Sequence, residues 1–96
     1  MAVYSLSSKA ANDLEGIYEY TILNFGLEQA RTYLLGLHEC FENLAQHPTQ
    51  GRSAREIAPG LRRFEYQSHV VFYAIKNGGV IFVRVLHQSM EVKRHL

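Results

Sequence analysis

The 96-residue chain has no tryptophan, one cysteine, two prolines and two methionines, and it contains no apolar run of bilayer length. Each scarcity excludes something. Lone Cys40 has no internal disulfide partner, and its helical spacing among apolar neighbours reads as a small core or boundary residue rather than a nucleophile. Without a long apolar run no membrane-spanning helix is expected. Met1-Ala2-Val3-Tyr4 passes straight into polar residues, without the apolar segment of a secretory signal, so a cytoplasmic location is expected. The sequence holds no glycine-rich phosphate loop, no paired-cysteine site and no histidine pair at ligand spacing on a helix, so neither cofactor nor metal is expected. What is present is enough to fold: 47% hydrophobic residues and six tyrosines argue for one globular domain, 1–96, around a single modest core.

The net charge of +1 conceals two unlike halves. Through His47, two basic residues (Lys9, Arg31) stand against six acidic ones, a balance of −4; beyond it eight basic residues stand against three acidic ones, a balance of +5. A basic surface on the second half suits an anionic target or an acidic protein.

The periodicities predict an α+β domain: an N-terminal strand, an antiparallel two-helix hairpin packed on a small, mainly antiparallel sheet, and a short C-terminal helix or tail. Val3 to Leu6 alternates as a strand, and Ser7 or Ser8 can cap a helix. Ala11, Leu14, Ile17 or Tyr18, Thr21 or Ile22, and Phe25 define its buried face, with Asp13 and Glu15 toward the positive end of the dipole. Gly26 should end it in the left-handed conformation. Ala30, Leu34, Leu37, Phe41 and Leu44 stripe a second helix, which stops before Pro48. Pro48 to Gly60 reads as a surface loop with one irregular turn at Ala54 to Ile57. Leu61 to Tyr66, His69 to Lys76 and Val80 to His87 read as a meander, the last two joined by Asn77-Gly78, the strongest short hairpin signal. Strict alternation along Ile81 to His87 would set Arg84 on the face opposite an apolar row. Ser89 to Leu96 suits a short helix capped by Ser89, which must dock or fray.

Few residues invite chemistry. His38 and His47 lie more than two turns apart and make no joint metal site. His69 opens a strand and reads as satisfying a carbonyl. His87 ends an apolar strand beside the basic tail, where an imidazole can serve as acid or base. Arg62, Arg63 and Arg84 offer guanidinium groups to phosphates or carboxylates, or else form ion pairs with Glu65 or Glu56. Adjacent Arg62 and Arg63 point to opposite sheet faces.

Several segments carry a resemblance: Ser8-Lys9-Ala10-Ala11-Asn12-Asp13-Leu14-Glu15-Gly16-Ile17-Tyr18-Glu19-Tyr20, Leu44-Ala45-Gln46-His47-Pro48 with Gly51-Arg52, Gly60-Leu61-Arg62-Arg63, His69-Val70-Val71-Phe72-Tyr73, and Val83-Arg84-Val85-Leu86-His87-Gln88-Ser89-Met90. Together they resemble the ParE branch of the RelE/ParE toxin superfamily across nearly the whole chain. The resemblance implies the toxin of a type II toxin–antitoxin pair. Such a toxin inhibits DNA gyrase, blocks replication and is neutralised in a tight complex by a cognate antitoxin, with no membrane partner and no sequence-specific nucleic-acid binding of its own. The RelE-like alternative is a ribosome-dependent mRNA endonuclease, for which Arg63 and His87 would be the catalytic candidates. Gln88 stands where some nuclease members carry a tyrosine, and it is neither acid nor base. The expected target contacts are Arg62, Arg63, Arg84, His87, Met90, Lys93 and Arg94. The expected antitoxin contacts are Tyr18, Ile22, Tyr33 and Arg84, the first three being apolar positions with no third layer to cover them.

Overall fold

Ser7 sets the entry to the helical hairpin. Its hydroxyl accepts from the Ala10 N–H at 3.0 Å, satisfying one of the unpaired first-turn donors, and donates to the Val83 carbonyl at 2.7 Å. In the computed structural model, which describes residues 3–96 apart from the Lys93 side chain, the elements are β1 (Tyr4–Leu6), α1 (Ser8–Phe25), α2 (Leu27–Gln46), β2 (Arg52–Ser53), β3 (Leu61–Tyr66), β4 (His69–Lys76), β5 (Gly79–His87) and α3 (Val92–His95). The sheet order is β1-β5-β4-β3-β2, antiparallel except where β1 runs parallel to β5. The α+β architecture and both long helices agree with the sequence.

Several details depart from it. Asp13 and Glu15 lie in the second turn of α1, whose first turn holds no acidic residue, so the dipole has little hold on them. The buried α1 residues are Ala10, Ile17 and Thr21, with Leu14 packed alongside; Ala11 is exposed, as is Phe25 at the hairpin tip. Gly26 takes φ 92° and ψ 166°, an extended glycine conformation rather than the left-handed helical one. The loop after α2 contains the two-residue strand β2, which pairs Arg52 with Arg63 at the sheet edge; so short a strand has no period to read. Ser89 does not cap the tail helix, because its side chain turns back to His87; Glu91 stands at the cap position without a side-chain bond.

Asn77 and Gly78 both take positive φ, 49° and 78°, as the two-residue hairpin requires. Farther along, β5 carries an extra residue: Tyr73 pairs with Phe82 but Phe72 with Arg84, leaving Val83 as a bulge. Directly opposed residues share a face, so the bulge breaks the predicted alternation. Arg84 opposes Phe72 and Val83 packs with the same cluster, placing the two neighbours toward one side.

The sheet is buried on both faces. Ile17, Leu37, Phe41 and Leu44 of the helices close over Val71, Tyr73, Phe82 and Val85. The opposite face holds a smaller cluster of Ala54, Leu61, Val70, Phe72 and Leu86, covered by Ile57 and Ala58 of the loop and Val92 of the tail. At the helix-covered face Gly36 lets the Tyr66 ring approach α2, for a Cβ there would overlap the Tyr66 hydroxyl. No helix of the described residues is long and apolar enough to cross a membrane.

Candidate functional site

β1 pairs with β5 only as far as Phe82, which leaves the rest of that edge to α1. The Asp13 carboxylate fills the gap. It accepts from the Val85 backbone N–H at 2.9 Å and takes a bidentate grip from the Nε and Nη2 of Arg84, both at 2.8 Å. Both side chains are 14% exposed, and the third arm of Arg84, Nη1, donates to the His95 carbonyl of the tail. The hydrogen bond to Asp13 holds the Arg84 guanidinium above its ordinary pKa. Arg84 therefore fastens α1, β5 and α3 together; its acidic partner is Asp13, not Glu65 or Glu56.

Arg62 is also occupied, donating through Nη2 to the Thr49 carbonyl at 3.2 Å and to the Gly51 carbonyl beside it. The same loop is held by Tyr73, whose hydroxyl donates to the Pro48 carbonyl at 2.7 Å and accepts from Gly51 N–H at 3.0 Å. Arg63 lies on the other face, its guanidinium carbon 5.6 Å from the centre of the Phe72 ring. Its register partner Phe72 belongs to the smaller cluster, whereas His87 is in phase with Val85 of the helix-covered core. The structure thus sets Arg63 and His87 on opposite faces and does not bring them together.

His87 does have a partner. It stands directly across from His69, ring centroids 5.4 Å apart and planes at 87°. The Tyr33 hydroxyl lies 2.6 Å from His69 Nδ1, so this histidine meets a side chain where a backbone carbonyl was expected. His87 Nδ1 accepts the Ser89 N–H at 3.1 Å and lies 2.7 Å from the Ser89 hydroxyl, which puts the ring proton of the neutral form on Nε2. Burial lowers the pKa of His69; the adjacent His87 lowers it further, and Asp13 opposes. Burial likewise raises that of Tyr33.

The pair lines a cleft of about 540 Å³ between α1 and the ends of β4 and β5. Ile17, Tyr20, Val85 and Met90 give it apolar walls, and Asn12, Asp13, His69 and His87 give it polar ones. No sequence period announced this pairing. Counted back from the Asn77-Gly78 turn, an unbroken ladder sets His69 against Leu86; the bulge at Val83 advances the register by one and substitutes His87. The Asp13–Arg84 joint was equally hidden, since 71 residues separate its partners.

The remaining candidates are scattered. Tyr18 and Ile22 are half-buried on α1, while Tyr33 is tied inward to His69 and packed edge-on to Tyr66. Larger exposed apolar groups were missed: Tyr20 on α1 and Leu23, Phe25 and Leu27 near the hairpin tip are 63%, 84%, 66% and 47% exposed. Met90 and Arg94 are exposed, the latter 3.6 Å from Glu91, and the side chain of Lys93 lies outside the described residues. Buried Cys40 has its thiol pushed up to about 11, as suits an inert core residue.

A family model described as the ParE toxin of the type II toxin-antitoxin system, parDE, matches residues 4–92. The chain is 41% identical over 96 residues to Toxin ParE1 of Caulobacter vibrioides, covering 100% of this chain and 99% of that protein. It is 42% identical over 94 residues to Toxin ParE1 of Mycobacterium tuberculosis, covering 97% and 96%. A solved chromosomal ParDE TA system from P. aeruginosa shares the fold, with a TM-score of 0.78 at 24% identity over 91% of this chain and 96% of that one.

Proposed function

This chain belongs to the ParE toxin family of type II toxin–antitoxin systems, and from that premise we propose that it inhibits DNA gyrase in the cytoplasm, blocking replication until a cognate antitoxin neutralises it. The observation that supports this over ribosome-dependent mRNA cleavage is the separation of Arg63 from His87 by the sheet. General acid–base cleavage needs a phosphate-gripping cation and a proton-transferring group within reach of one phosphodiester, and these two lie on opposite faces of the sheet. With Arg62 and Arg84 engaged internally, the target contacts fall to Arg63, the tail residues Met90 and Arg94, and Lys93. A disordered antitoxin segment is the partner that suits the helical hairpin, because half-buried Tyr18 and Ile22 share one side of α1 while exposed Tyr20, Leu23 and Leu27 lie on other sides of the hairpin, apolar positions that a segment wrapping around it as it folds would cover.

The test is direct. Purified toxin is incubated with gyrase, supercoiled plasmid and ATP, alongside ribosomes translating a defined mRNA at the same toxin concentration. Linearised plasmid or lost supercoiling with intact mRNA is expected. Codon-spaced mRNA cuts with unaffected gyrase would overturn the reading.

A further inference from the structure

The walls of the α1 cleft specify more than an apolar occupant. Both imidazoles have spent Nδ1 internally, on the Tyr33 hydroxyl for His69 and on Ser89 for His87. Nε2 of each ring has no hydrogen-bond or ion-pair partner among the described residues. In neutral His87 that atom carries the proton, so it is a donor in search of an acceptor. The apolar surface beside it comes from Ile17, Tyr20, Val85 and Met90. Asp13, the one formal charge lining the cleft, is consumed by Arg84 and the Val85 N–H.

We propose that this cleft binds an acidic, amphipathic peptide segment of the antitoxin, one carboxylate of which docks on the His69–His87 pair while a neighbouring apolar side chain lies against Tyr20 and Met90. The proposal rests on the toxin–antitoxin reading above. A phosphodiester suits the site less well, because no unpaired lysine or arginine lines it and much of its wall is apolar. A carboxylate flanked by leucine or phenylalanine satisfies donor and wall together.

Docking takes up a proton. The groups facing His69 are Asp13 from α1, Tyr33 from α2, Tyr66 from β3 and His87 from β5, with Arg84 neutralising Asp13. In the empty cleft His69 is held neutral by burial and by its neighbour. A docked carboxylate reverses that balance, and both protons of the resulting imidazolium have acceptors: Nδ1–H donates to the Tyr33 oxygen, Nε2–H to the carboxylate. The proton comes from the buffer, and affinity rises as pH falls.

Synthetic peptides tiling the cognate antitoxin, each also made with Asp and Glu changed to Asn and Gln, are titrated into the full-length toxin by calorimetry at pH 6.5 and 8.0. One acidic peptide should bind about tenfold more tightly at pH 6.5, should exceed its amide counterpart by a similar factor, and should show a heat that varies with buffer ionisation enthalpy. His69→Gln should abolish the pH dependence. Tyr20→Glu, an exposed change that leaves the core untouched, should weaken the acidic peptide more than its amide version. Equal affinity for the two versions, or an oligonucleotide binding in the peptide's place, overturns the proposal. If the intact antitoxin binds well but independently of His69 and His87, this site fails and the toxin–antitoxin reading stands; if it does not bind at any pH, that reading fails as well.

Discussion

The two faces of the sheet are buried by different means. One is covered by 38 residues of long helix, α1 and α2, whose apolar stripes meet Val71, Tyr73, Phe82 and Val85 in a continuous core. The other is covered by an irregular loop and a four-residue helix, contributing Ala54, Ile57, Ala58 and Val92. Periodic coverings hold themselves by area, whereas irregular ones are pinned. Arg62 pins the loop through two carbonyls, and Arg84 pins the tail through a third while gripping Asp13. Two arginines that look from the sequence like free hands for a target are thus fasteners, and the basic excess of the second half is partly structural.

The sharpest test of that contrast compares two fully buried phenylalanines on adjacent strands and opposite faces. Phe82 stacks on Phe41 at 4.3 Å and meets Tyr4 edge-on at 5.3 Å, between elements that cannot collapse. Phe72 sits under the loop and tail, which can relax inward. Phe82→Ala should cost about 4–5 kcal/mol and Phe72→Ala about 3, since cavity cost tracks how poorly a site collapses. Urea unfolding measures both, and equal losses would mean that the two coverings are equally rigid.

Next in size is the joint itself. Asp13→Ala leaves Arg84 with its charge unpaired and the Val85 N–H without its acceptor, for a loss of about 2–3 kcal/mol. Arg84→Met keeps much of the stem but leaves the Asp13 carboxylate with only the Val85 N–H, and should cost a similar amount, about 2–3 kcal/mol. Both should speed amide exchange across residues 90–96, since the Arg84 contact with the His95 carbonyl is lost or loosened. Unchanged exchange there would show that Val92 alone holds the tail.

A smaller effect tests how tightly the helical covering fits. Alanine ordinarily stabilises a helix interior by about 1 kcal/mol over glycine, but at Gly36 its Cβ would overlap the Tyr66 hydroxyl. Gly36→Ala should therefore destabilise by about 1–2 kcal/mol through overpacking. Adding Tyr66→Phe, which removes the offending oxygen, should recover most of the loss, and a double-mutant cycle by thermal melting reads the coupling.

How legible all this was follows from the same division. The stripe Ala30, Leu37, Phe41, Leu44 and the turn Asn77-Gly78 are local patterns, and both helices, the last hairpin and the fold class were readable from them. The turn between β3 and β4 was less so, because Gln67 takes positive φ, 48°, without being glycine. Of the site, His87 was visible as a residue but not as half of a pair, because its partner depends on one bulge. Asp13 was visible only as a helical acid, because its role depends on where β1 stops pairing. Local periods fix elements; joints between elements are set by register and chain ends, which no window of sequence contains.

The least of the expected effects asks how dry the helix-covered face is. Cys40 lies in that core with its thiol pushed up to about 11 by burial, against an ordinary value of 9.0. An acid whose folded pKa is raised favours the folded state fully below its unfolded pKa and loses that contribution as pH climbs through the window between the two. Between about pH 8 and pH 11 the thiol should therefore subtract from stability, by roughly 1 kcal/mol near the middle of that window. Tyrosines and lysines titrate there as well, so the quantity to measure is the difference in unfolding free energy between the native chain and Cys40→Ala at each pH. That difference should narrow toward alkaline pH, and the thiol should react with a disulfide reagent only at the rate of unfolding. A pH-independent difference with rapid labelling would mean that water reaches Cys40, and that the helical face is no better sealed than the loop and tail opposite.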